Sequence, residues 1–295
     1  MNKIIDLHTH TTASDGTYSP EALIDYAHQK GLSSIAITDH DTIDGIAAAL
    51  TQAMKYPELE VIPGIEYSTN SDLCKSDIHI LGYYMNIHDQ VFSSKLKHIV
   101  DSRIQRNVKL VELMQANGLP ITMADILATS EDGVITRAHF AKAMENVGIV
   151  KNMSKAFDKY IGDGKPYYIE REKVSQQMAI EMIINNGGVP VIAHPVLYKM
   201  NLKKLDKLLG ELVSYGLKGI EGIYSTYRTH ETQYIAAMAK DHGLMVTGGS
   251  DFHGSHKPRI DLSTGYGKLV VPYDIRNELY DMHQQILRDN QLKST

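Results

Sequence analysis

The sequence predicts an α/β protein: a β/α barrel carrying an all-helical insertion. Seven short, apolar, β-branched runs alternate with longer amphipathic stretches, the pattern of repeated strand–helix units around a mostly parallel sheet. One interval, from about residue 90 to 172, keeps helical periodicity and holds no convincing strand. Histidines and carboxylates recur where the apolar runs end, the side of a parallel barrel on which active sites are built.

Taken in order, the first run is Lys3–His8. Ser19-Pro20-Glu21-Ala22 then opens a helix, with serine as N-cap and proline in the first turn, and Gly31 ends it. Ser33–Thr38 is the second run, followed by a helix from about Ile43 to Lys55. Glu60–Ile65 and Ile78–Tyr84 are the third and fourth. In the interrupting segment Ile104, Val108 and Val111 fall on one helical face, and Phe157, Tyr160 and Ile161 mark another helix. Gly118-Leu119-Pro120 and Gly162-Asp163-Gly164-Lys165-Pro166 punctuate that segment. Val189–Ala193, Gly219–Ile223 and Leu244–Thr247 complete the set, each preceded by a helical stretch. Residues 1–89 and 173–295 are assigned to the barrel and 90–172 to the insertion.

Composition narrows the function. With 295 residues, 43% hydrophobic and 22% charged, the chain can bury a sizeable core. Its apolar runs fall well short of the ~18 residues that a membrane span needs. Asp6 and His8 interrupt the start where a signal peptide would be apolar, so a cytoplasmic protein is expected, with no membrane partner. The single cysteine, Cys74, excludes an internal disulfide framework and any cysteine-rich metal site, and reads as a bystander thiol. A net charge of −5 speaks against bulk binding of duplex nucleic acid, which relies on a basic face.

Fourteen histidines stand against no tryptophan and four phenylalanines. His28, His88, His98, His242 and His283 sit in helices or loops with no partner pattern and read as ordinary polar residues. The rest are placed differently. His8 and His10 follow the first run, with Asp15 in the loop beyond, and Asp39-His40-Asp41 ends the second. Glu66 ends the third, His79 lies inside the fourth, His194 ends the fifth, and Asp251 and His253 follow the seventh. Alternate residues of a strand share a face, so the pairs His8/His10 and Asp251/His253 can point together. Six histidines and three carboxylates without a thiolate suit manganese, iron or zinc, and their number implies two or three ions.

His8-Thr9-His10, Ser14-Asp15-Gly16, Thr38-Asp39-His40-Asp41, Pro63-Gly64-Ile65-Glu66, Ile78-His79, Ala193-His194-Pro195 and Gly249-Ser250-Asp251-Phe252-His253 resemble, in order, the motifs of the PHP (polymerase and histidinol phosphatase) superfamily. The resemblance implies a distorted (β/α)7 barrel with a trinuclear metal site. Thr136-Arg137-Ala138-His139-Phe140, Gly164-Lys165-Pro166-Tyr167 and Tyr224 with His230-Glu231 look like the stand-alone phosphoesterases of that superfamily. Those enzymes hydrolyse nucleoside 3′,5′-bisphosphates or trim RNA from its 5′ end. Glu221-Gly222-Ile223-Tyr224 departs from the wording of relatives, which bears on substrate choice. Carried over, the resemblance puts His8, His10, Glu66 and Asp251 on one ion. Glu66 then bridges to a second held by His79 and His194, while Asp15, His40 and His253 hold a third. Asp39 and Asp41 are expected to orient histidines.

Three carboxylates cannot neutralise three divalent ions, so an acidic protein can carry a positive pocket suited to a phosphate monoester. Such ions bring the pKa of bound water towards ~7, so that a bridging hydroxide can attack phosphorus in line. Arg137, His139, Lys165 and Lys257 are the substrate-binding candidates, with Arg259 as a further attractive charge. Glu66 and His230 are the catalytic candidates, His230 as general acid or orienting group. Tyr67, Tyr167 and Tyr168 are candidates for stacking on a base. The expected partner is a small phosphorylated substrate, a nucleotide or short RNA end. Histidinol phosphate, a C–N bond as in amidohydrolases, and a non-catalytic metal-stabilised module are the competing readings.

Overall fold

The computed structural model describes residues 3–70, 73, 77–130, 134–162, 164–169 and 174–293. Cys74, Asp163 and the 172/173 boundary lie outside them. Seven strands form one sheet in sequence order: β1 (Ile4–Asp6), β2 (Leu32–Ile37), β3 (Glu60–Thr69), β4 (Ile78–Tyr83), β5 (Val189–Ile192), β6 (Gly219–Tyr224) and β7 (Met245–Gly249). Beyond the sheet's two edges Leu7 N–H donates to Gly248 O at 3.3 Å and Thr9 bridges Phe252, so the sheet nearly closes into a barrel.

One strand breaks the repeat. β4 pairs antiparallel with both β3 and β5, whereas every other pair is parallel. The distorted (β/α)7 architecture is therefore a mixed barrel in which β3 and β4 follow one another without a crossover helix. Reversal puts the first residues of β4, rather than its last, at the mouth, which is why His79 reaches the site from inside a strand.

Around the sheet run α1 (Pro20–Gln29), α2 (Ile46–Ala53), α3 (Gln90–Ala116), α4 (Met123–Leu127), α5 (Arg137–Asn146), α6 (Met153–Ala156), α7 (Gln176–Asn185), α8 (Leu202–Ser214), α9 (Thr229–Asp241) and α10 (Asp274–Lys293). Ser19 caps α1 by accepting from Ala22 N–H, with Pro20 at its first position. A turn of π-helix at Phe157–Ile161 extends α6, where an apolar cluster predicts a helix.

The core explains how the helical segment attaches. Leu110, Val111, Met114, Ile126, Phe140, Met144 and Ile161 pack into a cluster distinct from those lining the barrel. Phe92, Leu96 and Ile99, in the first half of the same α3, belong to a barrel cluster instead. That helix therefore serves both bodies, one with each half. The face expected from Ile104 and Val108 points outward, with only Val111 of the three buried. The buried face runs through Ile99, Arg103, Asn107 and Leu110, and two of those residues are polar, which hides the stripe from hydrophobic periodicity.

Candidate metal centre

The barrel mouth gathers the nine predicted donors from six strands. His8 and His10 follow β1, Asp15 lies on the next loop, and His40 follows β2. Glu66 sits within β3, His79 is second in β4, His194 follows β5, and Asp251 and His253 follow β7. Close backbone approach is built in. A Cβ at Gly249 would lie 2.4 Å from His8 Cβ, and one at Gly16 would lie 2.3 Å from His10 O, so only glycine fits at either place. Asp41, His194 and Asp251 adopt φ of 54°, 29° and 58°, a region costly to non-glycine residues that recurs at functional sites.

Glu66 is the centre. Its Oε2 lies 3.3 Å from His8 Nε2, 3.2 Å from His10 Nε2 and 3.2 Å from His40 Nδ1. Its Oε1 lies 2.8 Å from His79 Nδ1 and 3.0 Å from His194 Nε2. The five rings close a circuit around this carboxylate: His8–His10, His10–His40, His40–His79, His79–His194 and His194–His8 have centroids 5.2, 4.6, 5.2, 5.1 and 5.8 Å apart. Asp251 Oδ1 lies 3.6, 3.4 and 3.3 Å from His8 Nε2, His10 Nε2 and His253 Nδ1. Asp15 Oδ1 lies 3.3 Å from His253 Nε2 and 3.8 Å from His10 Nδ1.

Burial alone would neutralise these acids, yet the imidazoles beside them win. Burial raises the Glu66 pKa, while His40, His79 and His8 pull it well below the usual carboxylate range. Asp15 is lowered against the same burial by His40 and His253, and Asp251 by Lys257 and His253. Burial works against protonated His10, but the carboxylates of Asp251 and Glu66 beside it raise its pKa to about 9. At His40 burial dominates and lowers the pKa to about 3.

The donor set fits divalent metal ions on one observation above others. His8 Nε2, His10 Nε2, His40 Nδ1 and Asp15 Oδ1 are buried without a hydrogen-bond partner, and their residues belong to overlapping groups of potential ligands. Unsatisfied buried polar atoms are rare and costly, and ions held by these groups would satisfy them. Three overlapping groups have ligand atoms within 4.8 Å of one another: His10–Asp15–His40–His253, His8–His10–Glu66 and His40–Glu66–His79.

Residues around the donors fix their poses. Glu221, in β6, accepts from His8 Nδ1 at 2.9 Å and from His194 N–H at 2.8 Å. Fully buried, it orients two donors and settles which nitrogen of His8 faces Glu66. Sequence reasoning passed over it as a point of variation; the usable signal is a carboxylate inside an otherwise apolar strand. Asp39 reaches His10 through Ser14, whose hydroxyl donates to Asp39 at 2.5 Å and lies 3.5 Å from His10 Nδ1. Asp41 accepts from Ser68 N–H at 3.0 Å and from Arg103, tying α3 to the mouth. Tyr224 donates to Asp251 Oδ2 at 2.5 Å.

The substrate-binding candidates scatter. Arg137 opens α5, lies 3.7 Å from Asp77 and stacks 5.6 Å from the Tyr168 ring. It lines a cavity of about 180 Å³ shared with Asp15, His40, His79, Arg103 and Arg106. The last two were not foreseen, because arginines on a long helix read as a solvated face. Tyr167 and Tyr168 line an adjoining pocket with Arg106 and Arg137. His139 is buried, its Nδ1 accepting from Thr136 N–H at 3.0 Å, and burial lowers its pKa to about 4. Lys257 Nζ donates to Asp251 at 2.5 Å. Lys165, Arg259 and His230 are exposed, and His230 has no hydrogen bond or ion pair among the described residues. Tyr67 is fully buried and belongs to the core.

Known proteins resemble this chain in sequence and fold. Residues 6–247 match the family model described as PHP domain. A 5′-3′ exoribonuclease of Haemophilus influenzae is 36% identical over 253 residues, covering 86% of this chain and 91% of that protein. A 3′,5′-nucleoside bisphosphate phosphatase of Chromobacterium violaceum is 31% identical over 250 residues, covering 84% of this chain and 87% of the relative. A solved structure from Bifidobacterium adolescentis, provisionally described as a metal-dependent phosphoesterase, superposes with a TM-score of 0.81 at 29% identity, covering 94% of this chain and 95% of that one. The family match runs from β1 into β7 and takes in the whole circuit of imidazoles around Glu66; the chain belongs to the PHP domain family.

Proposed function

We propose that the protein is a metal-dependent phosphoesterase acting on phosphate monoesters of nucleotides, of the 3′,5′-bisphosphate type, or on the 5′ ends of short RNA. It is a hydrolase, and the observation that carries the reading is the set of orphaned donors around Glu66 beside an arginine-lined cavity. Two or three manganese, iron or zinc ions are the fitting occupants. His8 and His10, beside Glu66 and Asp251, would hold one with those carboxylates; His79 and His194, beside the other oxygen of Glu66, would hold a second with it. Asp15, His40 and His253 would hold a third. Bound ions supply positive charge for phosphoryl oxygens and make water a usable nucleophile near neutral pH.

The chain's own groups do the rest. The buried imidazoles must be neutral to offer lone pairs, so ion binding expels the protons that the surrounding carboxylates otherwise favour on His8 and His10. Arg103, Arg106 and Arg137 present planar forks to the non-reacting phosphate, and Tyr168, already against Arg137, offers a face to the base. Residues 90–172 act as the substrate-side domain over a barrel of residues 1–89 and 173–295. His139 sets the start of α5, while Lys165 and His230 stay at the surface. The names of the relatives support nucleotide and RNA chemistry.

The deciding experiment supplies metal-stripped protein with Mn²⁺, Fe²⁺ or Zn²⁺ and offers four substrates: adenosine 3′,5′-bisphosphate, a 5′-phosphorylated RNA, histidinol phosphate and an amide. Phosphate release or nucleotide trimming from the first two is expected, and chelation should abolish it. Turnover of histidinol phosphate or the amide alone overturns the proposal.

A further inference from the structure

A side chain of the helical segment reaches the metal centre by a hydrogen bond. Thr136 is the N-cap of α5 and is buried, at 6% exposure. Its Oγ1 accepts from Ala138 N–H at 3.1 Å, the usual capping bond. Its own N–H donates to His139 Nδ1 at 3.0 Å. The hydroxyl proton is left, and Asp15 Oδ2 lies 3.1 Å away to receive it. Two residues earlier Val134 N–H donates to Ala13 O at 2.9 Å, so 134–136 is fastened alongside 13–15. On the far side His256 Nδ1 holds the Asp15 carbonyl at 2.8 Å.

The two oxygens of Asp15 thus have different roles. Oδ2 is occupied by Thr136, and Oδ1 has no hydrogen-bond partner and faces His253 and His10. A carboxylate on a loop is free to turn about its side-chain bonds unless something holds one oxygen. We propose that Thr136 is a positioning residue for Asp15, aiming Oδ1 at His10 and His253 while Oδ2 stays on the side of His40. The helical segment, not the barrel alone, then completes the third ion site. This rests on the reading of the cluster as a metal centre. Hydrogen-bond partners of ligands are commonly worth 10–100-fold in metal affinity. Because such coupling is reciprocal, an ion at Asp15 must also steady the start of α5.

Three variants test it, with ion content and amide exchange as readouts independent of turnover. Thr136→Ser keeps donor and cap; Thr136→Val removes both. Thr136→Asp keeps a capping acceptor, so α5 stays anchored, but removes the donor and sets a second carboxylate against Asp15. Elemental analysis after dialysis against a weak chelator should show equal ion content in wild type and Thr136→Ser. Thr136→Val and Thr136→Asp should lose one ion per chain, or hold it about 10-fold more weakly. Exchange over 134–146 should slow on adding Mn²⁺ in the first pair and not in the second. Full ion content and affinity in both Thr136→Val and Thr136→Asp overturns the assignment; if Thr136→Val does not fold, Thr136→Asp decides. Absence of bound metal in the wild type would instead sink the underlying reading, and is told apart by appearing before any substitution.

Discussion

At the barrel mouth every donor hangs from a strand or the loop just after one, and His8 and His10 are wholly buried. The cations opposite them, Arg103, Arg106 and Arg137, hang from helices whose outer halves pack among themselves. Polar pairs join the two regions: Arg103 with Asp41, Arg137 with Asp77, and Thr136 with Asp15. Sheet-borne groups are fixed relative to one another by shared hydrogen bonding, which suits an ion cluster that tolerates little displacement. Helix-borne groups can be repositioned by changing one packed segment, which suits recognition of a particular ester. One family can in this way keep a reaction and vary its substrate.

Substitutions should separate the two regions. Glu66→Ala removes the carboxylate on which five imidazoles converge, so kcat/KM should fall by more than about 100-fold and ion content should fall with it. Retention of both would mean that the mouth is not the reaction centre. Arg137→Ala, on the helical side, should raise KM for the bisphosphate by about 10-fold, near 1.4 kcal/mol, with ion content unchanged. Loss of ions in that variant would erase the distinction between the regions.

The smallest effect is one of pH. Burial depresses His139 to about 4, below its unfolded value of 6.5. The unfolded chain therefore takes up a proton as pH falls from 7 towards 5 that the folded chain refuses, and stability present above about 6.5 drains away over that range. Urea unfolding at pH 7 and 5.5 should show a loss in the wild type that is smaller by about 1 kcal/mol in His139→Gln. Equal losses would place the ring's burial outside the energetics of α5.

Most of the centre is legible in sequence because strand ends announce themselves twice, by an apolar run and by the polar residue that stops it. His8, His40, His194 and Asp251 are found so. Other parts leave no such trace. The reversal of β4 is a matter of pairing, which no local pattern encodes, and it alone explains a donor near the beginning of a strand. Glu221 is buried because His8 and His194 N–H are there to bond it, partners distant in sequence. Arg103 is hidden for a like reason: Asp41 lets a charged residue occupy a helix face that Ile104 and Val108 would otherwise claim by hydrophobicity.

Reversing β4 also sets an itinerary. The chain leaves that strand at the floor of the barrel, with the whole wall still to climb. At 1.5 Å per residue the 27 residues of α3 reach about 40 Å, enough to scale the outside and overshoot the rim. Arg103, roughly 20 Å along, arrives level with the ion cluster, and the surplus beyond it becomes a mast on which the remaining short helices are rigged.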